Sequence, residues 1–200
     1  VSIQRRFLLL GGAAVLAGCD RLTGKTAAQG FKAVDITGAD YARNLSLPDQ
    51  DGKVRTVADL KGKVSVVFFG YTQCPDVCPT TMAELAQVKK SLGKDGDRVQ
   101  GIFITIDPER DTPQLLKAYM GSFDPGFIAL RGTPEQTAAT AKDFKVFYAK
   151  VPAKSGDGYT MDHTAGSYVF DTKGQLRLFT RYGSGAEALA SDLKVLLAAG

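Results

Sequence analysis

An apolar run, Val64-Ser-Val-Val-Phe-Phe-Gly70, leads straight into Cys74-Pro-Asp-Val-Cys78-Pro79, and a helix-like stretch from Thr80 to Leu92 follows at once. A continuous β-branched and aromatic run has the composition of a strand covered on both faces. Beyond the cysteines, Met82, Leu85, Val88 and Leu92 recur at helical spacing, with Gly93 as the stop. Strand, short loop and helix together place two thiols at a helix N-terminus. The chain holds three cysteines and one histidine. Cys19 has a separate explanation, which leaves Cys74, Cys78 and His163, the last 85 residues beyond the second thiol. Two thiolates and a neutral imidazole form a soft S2N donor set that suits Cu(I) and tolerates Cu(II). The question is whether the two cysteines serve a metal, a disulfide or both.

The remaining pattern predicts an α/β domain. Residues 35–59 carry alternating apolar positions about a turn at Asp51-Gly52, an N-terminal β-hairpin extension. Val99 to Ile106 reads as a second buried strand, and Asp111-Thr-Pro113 as the cap of a helix reaching Met120. A short strand at Phe127–Leu130 and a helix from Thr133-Pro134 to Phe144 come next. Strands are then predicted over Val146–Val151 and Ser167–Phe170. The turn Asp171–Gly174 joins the latter to Gln175–Thr180, and Leu189, Leu193, Leu196 and Leu197 mark a C-terminal helix. This order, βαβα followed by a hairpin and a helix, is the plan of the thioredoxin fold.

The N-terminus reads as a processing signal over residues 1–18. Arg5-Arg6 precedes an apolar run of twelve residues, Phe7–Gly18, too short to span a bilayer. It closes on Leu16-Ala17-Gly18-Cys19, which resembles a bacterial lipobox and implies cleavage before Cys19 and lipidation of its sulfur. Residues 19–34 are expected to be a tether and 35–200 the folded domain, exported and held on the extracytoplasmic side of the membrane. Without Arg5 and Arg6 the chain has 23 basic and 21 acidic residues, a net charge of +2. No basic block or interleaved aromatics occur, so nucleic acid is not an expected partner.

At the helix N-terminus the macrodipole stabilises a thiolate, so a cysteine pKa there should fall. Pro79 stiffens the first turn. Three intervening residues, rather than the two of the familiar redox arrangement, let both sulfurs approach a common ion. His163 is expected in a loop ahead of the second hairpin, facing the cysteines. In thioredoxin-like redox enzymes that loop carries a cis-proline, yet no proline follows Pro152. A ligand therefore stands near where a redox feature would be. Asp162 is placed to orient the site or a partner from behind the ligand, or else is a solvated loop carboxylate. In Asp107-Pro-Glu-Arg-Asp111, Pro108 is read as ending the strand and Asp111 as capping the next helix.

Phe69-Gly-Tyr-Thr-Gln-Cys-Pro-Asp-Val-Cys-Pro-Thr80, Asp107-Pro-Glu-Arg-Asp-Thr-Pro113 and Asp162-His163 together resemble the Sco/SenC family of copper-binding proteins. The resemblance covers nearly all of the expected domain. It implies a membrane-anchored, thioredoxin-like protein that binds one copper ion through Cys74, Cys78 and His163. The implied role is assembly of the CuA centre of cytochrome c oxidase, by copper delivery, by thiol reduction of the acceptor, or by both. Implied partners are oxidase subunit II or another periplasmic copper chaperone. Gln73 departs from the many members with histidine there, a position that is not a family ligand. Members usually carry a transmembrane helix where this chain offers a lipid.

The competing class is a metal-independent thiol–disulfide oxidoreductase acting on exported proteins through a redox-active Cys74–Cys78 pair. His163 and the missing proline favour copper. A peroxidase wants an activating Thr and Arg around one attacking cysteine, and a Cys-His hydrolase wants a companion Asn or Asp motif. Both are weaker readings.

Overall fold

Every residue of Val64–Gly70 is buried, as its unbroken apolar composition requires, and the segment lies inside the main sheet. The structure, a computed structural model, describes residues 30–153 and 158–200. The expected leader, Cys19 and the tether as far as Gln29 lie outside the described residues.

In chain order, β1 (Val34–Asp35), β2 (Ser46–Pro48), β3 (Val54–Thr56) and β4 (Val64–Gly70) precede α1 (Val77–Ser91). Next come β5 (Val99–Thr105), α2 (Pro113–Gly121), β6 (Ile128–Leu130) and α3 (Pro134–Asp143). The chain closes with β7 (Tyr148–Pro152), β8 (Tyr159–His163), β9 (Gly166–Phe170), β10 (Leu176–Arg181) and α4 (Ala186–Ala198). Six strands form one sheet in the order β1-β10-β9-β4-β5-β6. Strands β4, β5 and β6 are parallel, joined by crossovers through α1 and α2, while β9, β10 and β1 run antiparallel. This is the thioredoxin-like α/β arrangement read from the sequence, with β2–β3 as the N-terminal hairpin.

The period of two along β4 divides the core. Phe68 meets Phe103, which meets Tyr119 of α2, whereas Phe69 meets Phe144 at the end of α3. Register places Gly70 opposite Thr105, and the Ile106 amide donates to the Gly70 carbonyl at 2.9 Å. The loops after β4 and β5 therefore leave the same sheet edge side by side, where open α/β sheets place their sites.

Four expectations need correction. Helix α1 starts at Val77 rather than Thr80, so Cys78 and Pro79 are already helical. Pro79 is the third helical residue, still at a position where no intrahelical acceptor awaits an N–H, so its lack of one costs nothing. Asp111 does not cap α2; the Thr112 side chain does, accepting from the Leu115 amide, and the fully buried Asp111 turns inward. His163 is not in a loop but ends β8, paired with Tyr148 in a hairpin, β7–β8, that the sequence reading treated as one strand and a loop. The tether expected over 19–34 also gives way early, because Phe31 and Ala33 already pack on the core and β1 joins the main sheet.

That early docking rests on Asp192 of α4, 2 % exposed, whose two carboxylate oxygens accept the Lys32 and Ala33 amides at 2.8 Å each. Asp192→Ala should strand both donors and destabilise the domain by about 1–3 kcal/mol, read from denaturant unfolding. An unchanged midpoint would show the N-terminal segment to be independent of α4.

Candidate metal centre

Cys78 sits in the first turn of α1 with no exposed surface. Its sulfur packs over Gly70, where an added Cβ would come within 2.7 Å of it. The strand end must therefore be glycine for the thiol to occupy this place. Cys74 lies in the preceding loop and is half-buried. Asp76 holds the N-cap position, but its side chain makes no capping bond. The Cys74 sulfur does that work instead, accepting the Cys78 amide at 3.4 Å.

The two thiols are consequently unequal. The Cys78 thiol and the Asp76 and Cys78 amides hold the Cys74 pKa far below its ordinary value, against the opposing effect of burial. Cys78 is pushed up by its bond to Cys74 and by burial. One negative charge is thus shared by the pair and resides on Cys74.

His163 arrives from the opposite side on β8. Its Nδ1 lies 3.1 Å from the Thr164 carbonyl oxygen, which can only accept. The proton therefore belongs on Nδ1, and Nε2 presents a lone pair. That lone pair faces the Cys78 sulfur at 3.6 Å. Phe68 and Tyr71 pack edge-on against the imidazole, with centroids 5.8 and 6.2 Å away.

The three donor atoms lie within 4.8 Å of one another. Around a late first-row ion with bonds of roughly 2.0–2.3 Å, three coplanar donors stand about 3.5–4 Å apart. The set is close to that spacing, and its two soft sulfurs and one imidazole suit copper. All three residues singled out in the sequence thus converge. Asp162 does not join them: it is exposed and paired with Ala149, and the Thr164 carbonyl, not Asp162, is the partner of the His163 Nδ1.

Sequence reasoning missed the layer beneath. Asp111 accepts from the Thr72 and Thr105 hydroxyls at 2.6 and 2.5 Å, bracing the cysteine loop against β5. Burial raises its pKa. Arg110 binds Asp107 and Gln73, and Tyr159 donates its hydroxyl to Asp107 at 2.9 Å. The clustering of Asp107, Arg110 and Asp111 in one loop after a buried strand was the available signal. Lone Tyr159 gave none.

The sequence pattern of the SCO1/SenC family matches residues 34–198. An SCO2-like protein of Rickettsia felis is 40% identical over 133 residues, 66% of this chain and 65% of that protein. The chain thus spans just under two thirds of that relative's length. Among solved structures, Bradyrhizobium japonicum ScoI with copper bound is similar at 47% identity and a TM-score of 0.68, covering 76% of this chain and 96% of that one. Arabidopsis thaliana ScoI with copper bound is 32% identical with a TM-score of 0.70, covering 76% and 94%.

A thiolate held on Cys74 sets a pH signature. Because its pKa lies below the assay range, alkylation of Cys74 in the reduced protein should be nearly flat between about pH 5 and about pH 8, where an ordinary thiol slows about tenfold per unit. Cys78 should react only after unfolding. Site-resolved mass spectrometry reads both, and a Cys74 rate that titrates at the free-thiol value of about 8.5 would contradict the asymmetry.

Proposed function

The chain belongs to the SCO1/SenC family, and from that membership we propose that it is a copper-binding assembly factor which carries one ion between Cys74, Cys78 and His163. The observation that carries the reading is the convergence of two sulfurs and an imidazole nitrogen within 4.8 Å. Copper is cargo here. Cys74, half-buried and anionic, meets the incoming ion first. Cys78 must lose its proton before it can bind, so loading releases a proton. His163 completes the set without a proton change, because its Nδ1–H already points at Thr164. The recipient is the CuA site of cytochrome c oxidase subunit II, with a periplasmic copper chaperone as the alternative exchange partner. A lipid on Cys19 anchors the protein outside the cell membrane. No helix among the described residues is long and apolar enough to cross a membrane.

The thiol asymmetry favours one further reading, reduction of the acceptor. The Cys74 thiolate would attack a disulfide sulfur, form a mixed disulfide and expel the partner's first thiolate. Cys78, deprotonated, would displace the second, leaving a Cys74–Cys78 disulfide and a reduced acceptor, two electrons transferred. Metal delivery needs His163 as a ligand, whereas this exchange strictly requires only the thiolate and an accessible disulfide, with His163 at most assisting deprotonation of Cys78.

His163→Ala should therefore weaken copper binding and remove the wild-type Cu(II)–thiolate spectrum while small-disulfide exchange by the cysteines continues. In cells, delivery predicts failed oxidase assembly when copper is scarce, partly restored by added copper. Wild-type affinity and spectrum together with full oxidase activity would leave the reductase reading ahead. The disulfide form should stay folded and bind no copper tightly. For the anchor, Cys19→Ala should abolish acylation; unchanged processing and acylation by mass spectrometry would overturn the lipobox reading.

A further inference from the structure

Strands β7 and β8 share no backbone ladder with the six-stranded sheet. The position of the His163 ring therefore depends on the link through Thr164 and Ala165 to β9 and on side-chain ties. The ties on the β5–α2 side come from one segment, Asp107–Arg110. The Arg110 guanidinium stacks 3.8 Å from the Tyr159 ring centroid at the start of β8, and Nη1 donates to the Tyr159 carbonyl at 2.9 Å. The same Nη1 donates to Gln73 Oε1 at 3.1 Å, next to Cys74. Nε binds Asp107, itself 1 % exposed and also holding the Tyr159 hydroxyl. Outside this cluster, Glu109 accepts from Lys150 of β7 at 2.6 Å.

One side chain thus touches both ligand-bearing segments: the loop that presents the sulfurs and the hairpin that presents the nitrogen. It also remains where Nη2 is buried with no hydrogen-bond partner among the described residues. An orphaned donor costs free energy that turning outward would avoid, so the surrounding contacts fix this pose against that cost. Resting on the metal-site reading above, we propose that Arg110 is a positioning residue which clasps the His163 hairpin to the cysteine loop and sets how readily His163 joins the two sulfurs. It touches no donor atom. Its effect passes through Tyr159 along β8 to His163, four residues away on the same strand.

The test uses the reduced protein with Arg110→Ala, and Tyr159→Phe as a milder variant that removes only the hydroxyl bond to Asp107. Without metal, hydrogen exchange at β8 amides should speed up in Arg110→Ala while β4 and β5 keep their protection. With Cu(I), competition against a chelator should show a loss of roughly tenfold, the scale seen when groups supporting a ligand are removed. Tyr159→Phe should show a smaller loss. With Cu(II), the sulfur bands should persist while the imidazole signature weakens. In a His163→Ala background, Arg110→Ala should have no further effect on affinity, since there is no ring left to position. Equal losses in both backgrounds, or unchanged β8 exchange, would overturn the clasp. Failure of wild-type protein to bind copper would instead sink the metal-site reading, and the metal-free exchange result would still decide whether the clasp exists.

Discussion

A thiol with no exposed surface, seated over a strand end that can carry no side chain, is the contact on which the rest of the site depends. Cys78 packs on Gly70 because α1 begins at Val77, immediately after the loop that leaves β4. Burial penalises its charged form, so charge settles on Cys74, and Cys74 in turn is stabilised by the helix N-terminus and by the Cys78 amide. Neither cysteine would have its character without the other. Any ion or disulfide that engages both must first draw the proton from the buried one.

The two halves of the donor set are built by different physics. The sulfurs belong to the central sheet: β4 and β5 are covered on both faces, and Asp111 ties their loops together from within. The imidazole belongs to a two-stranded hairpin with no ladder to that sheet, held by the buried Met161 and by polar and aromatic contacts around Asp107, Arg110 and Tyr159. Contacts of the first kind open with the whole domain, whereas those of the second can open locally. An anchored pair of sulfurs with a separately docked nitrogen would suit the ion carrier proposed above, since the nitrogen can disengage while the sulfurs stay in place.

The parts legible in the sequence were those with a strong local pattern. The buried strand at Val64, the helix through Met82 and Leu85, the caps at Thr133-Pro134 and the Asp171–Gly174 turn all announce themselves within a few residues. Cys74, Cys78 and His163 were legible because the chain offers so few soft donors. The β7–β8 hairpin was not, since its strands are half-exposed, carry Lys150, Pro152 and Thr160 among their apolar residues, and gain their order from the loop they dock on. Asp111 was misread for a related reason. A carboxylate just before Thr-Pro is a good cap by local rule, but the buried Thr72–Thr105 corner needed an acceptor more, and Thr112 could cap in its place.

The two chemistries open to this site make incompatible demands on one atom. His163 Nε2 points at the Cys78 sulfur from 3.6 Å, which is the position of a base ready to take the Cys78 proton. In thiol exchange that transfer would help, because a deprotonated Cys78 resolves the mixed disulfide while the imidazolium holds the proton. In metal binding it would hinder, because a protonated Nε2 has no lone pair for the ion, and the proton must leave for solvent instead. The Thr164 carbonyl keeps the first proton on Nδ1 and so leaves Nε2 free for either use. On the two readings proposed above, what arrives, an ion or a disulfide, would decide whether the histidine acts as a ligand or as a base, and each use would exclude the other for as long as it lasts.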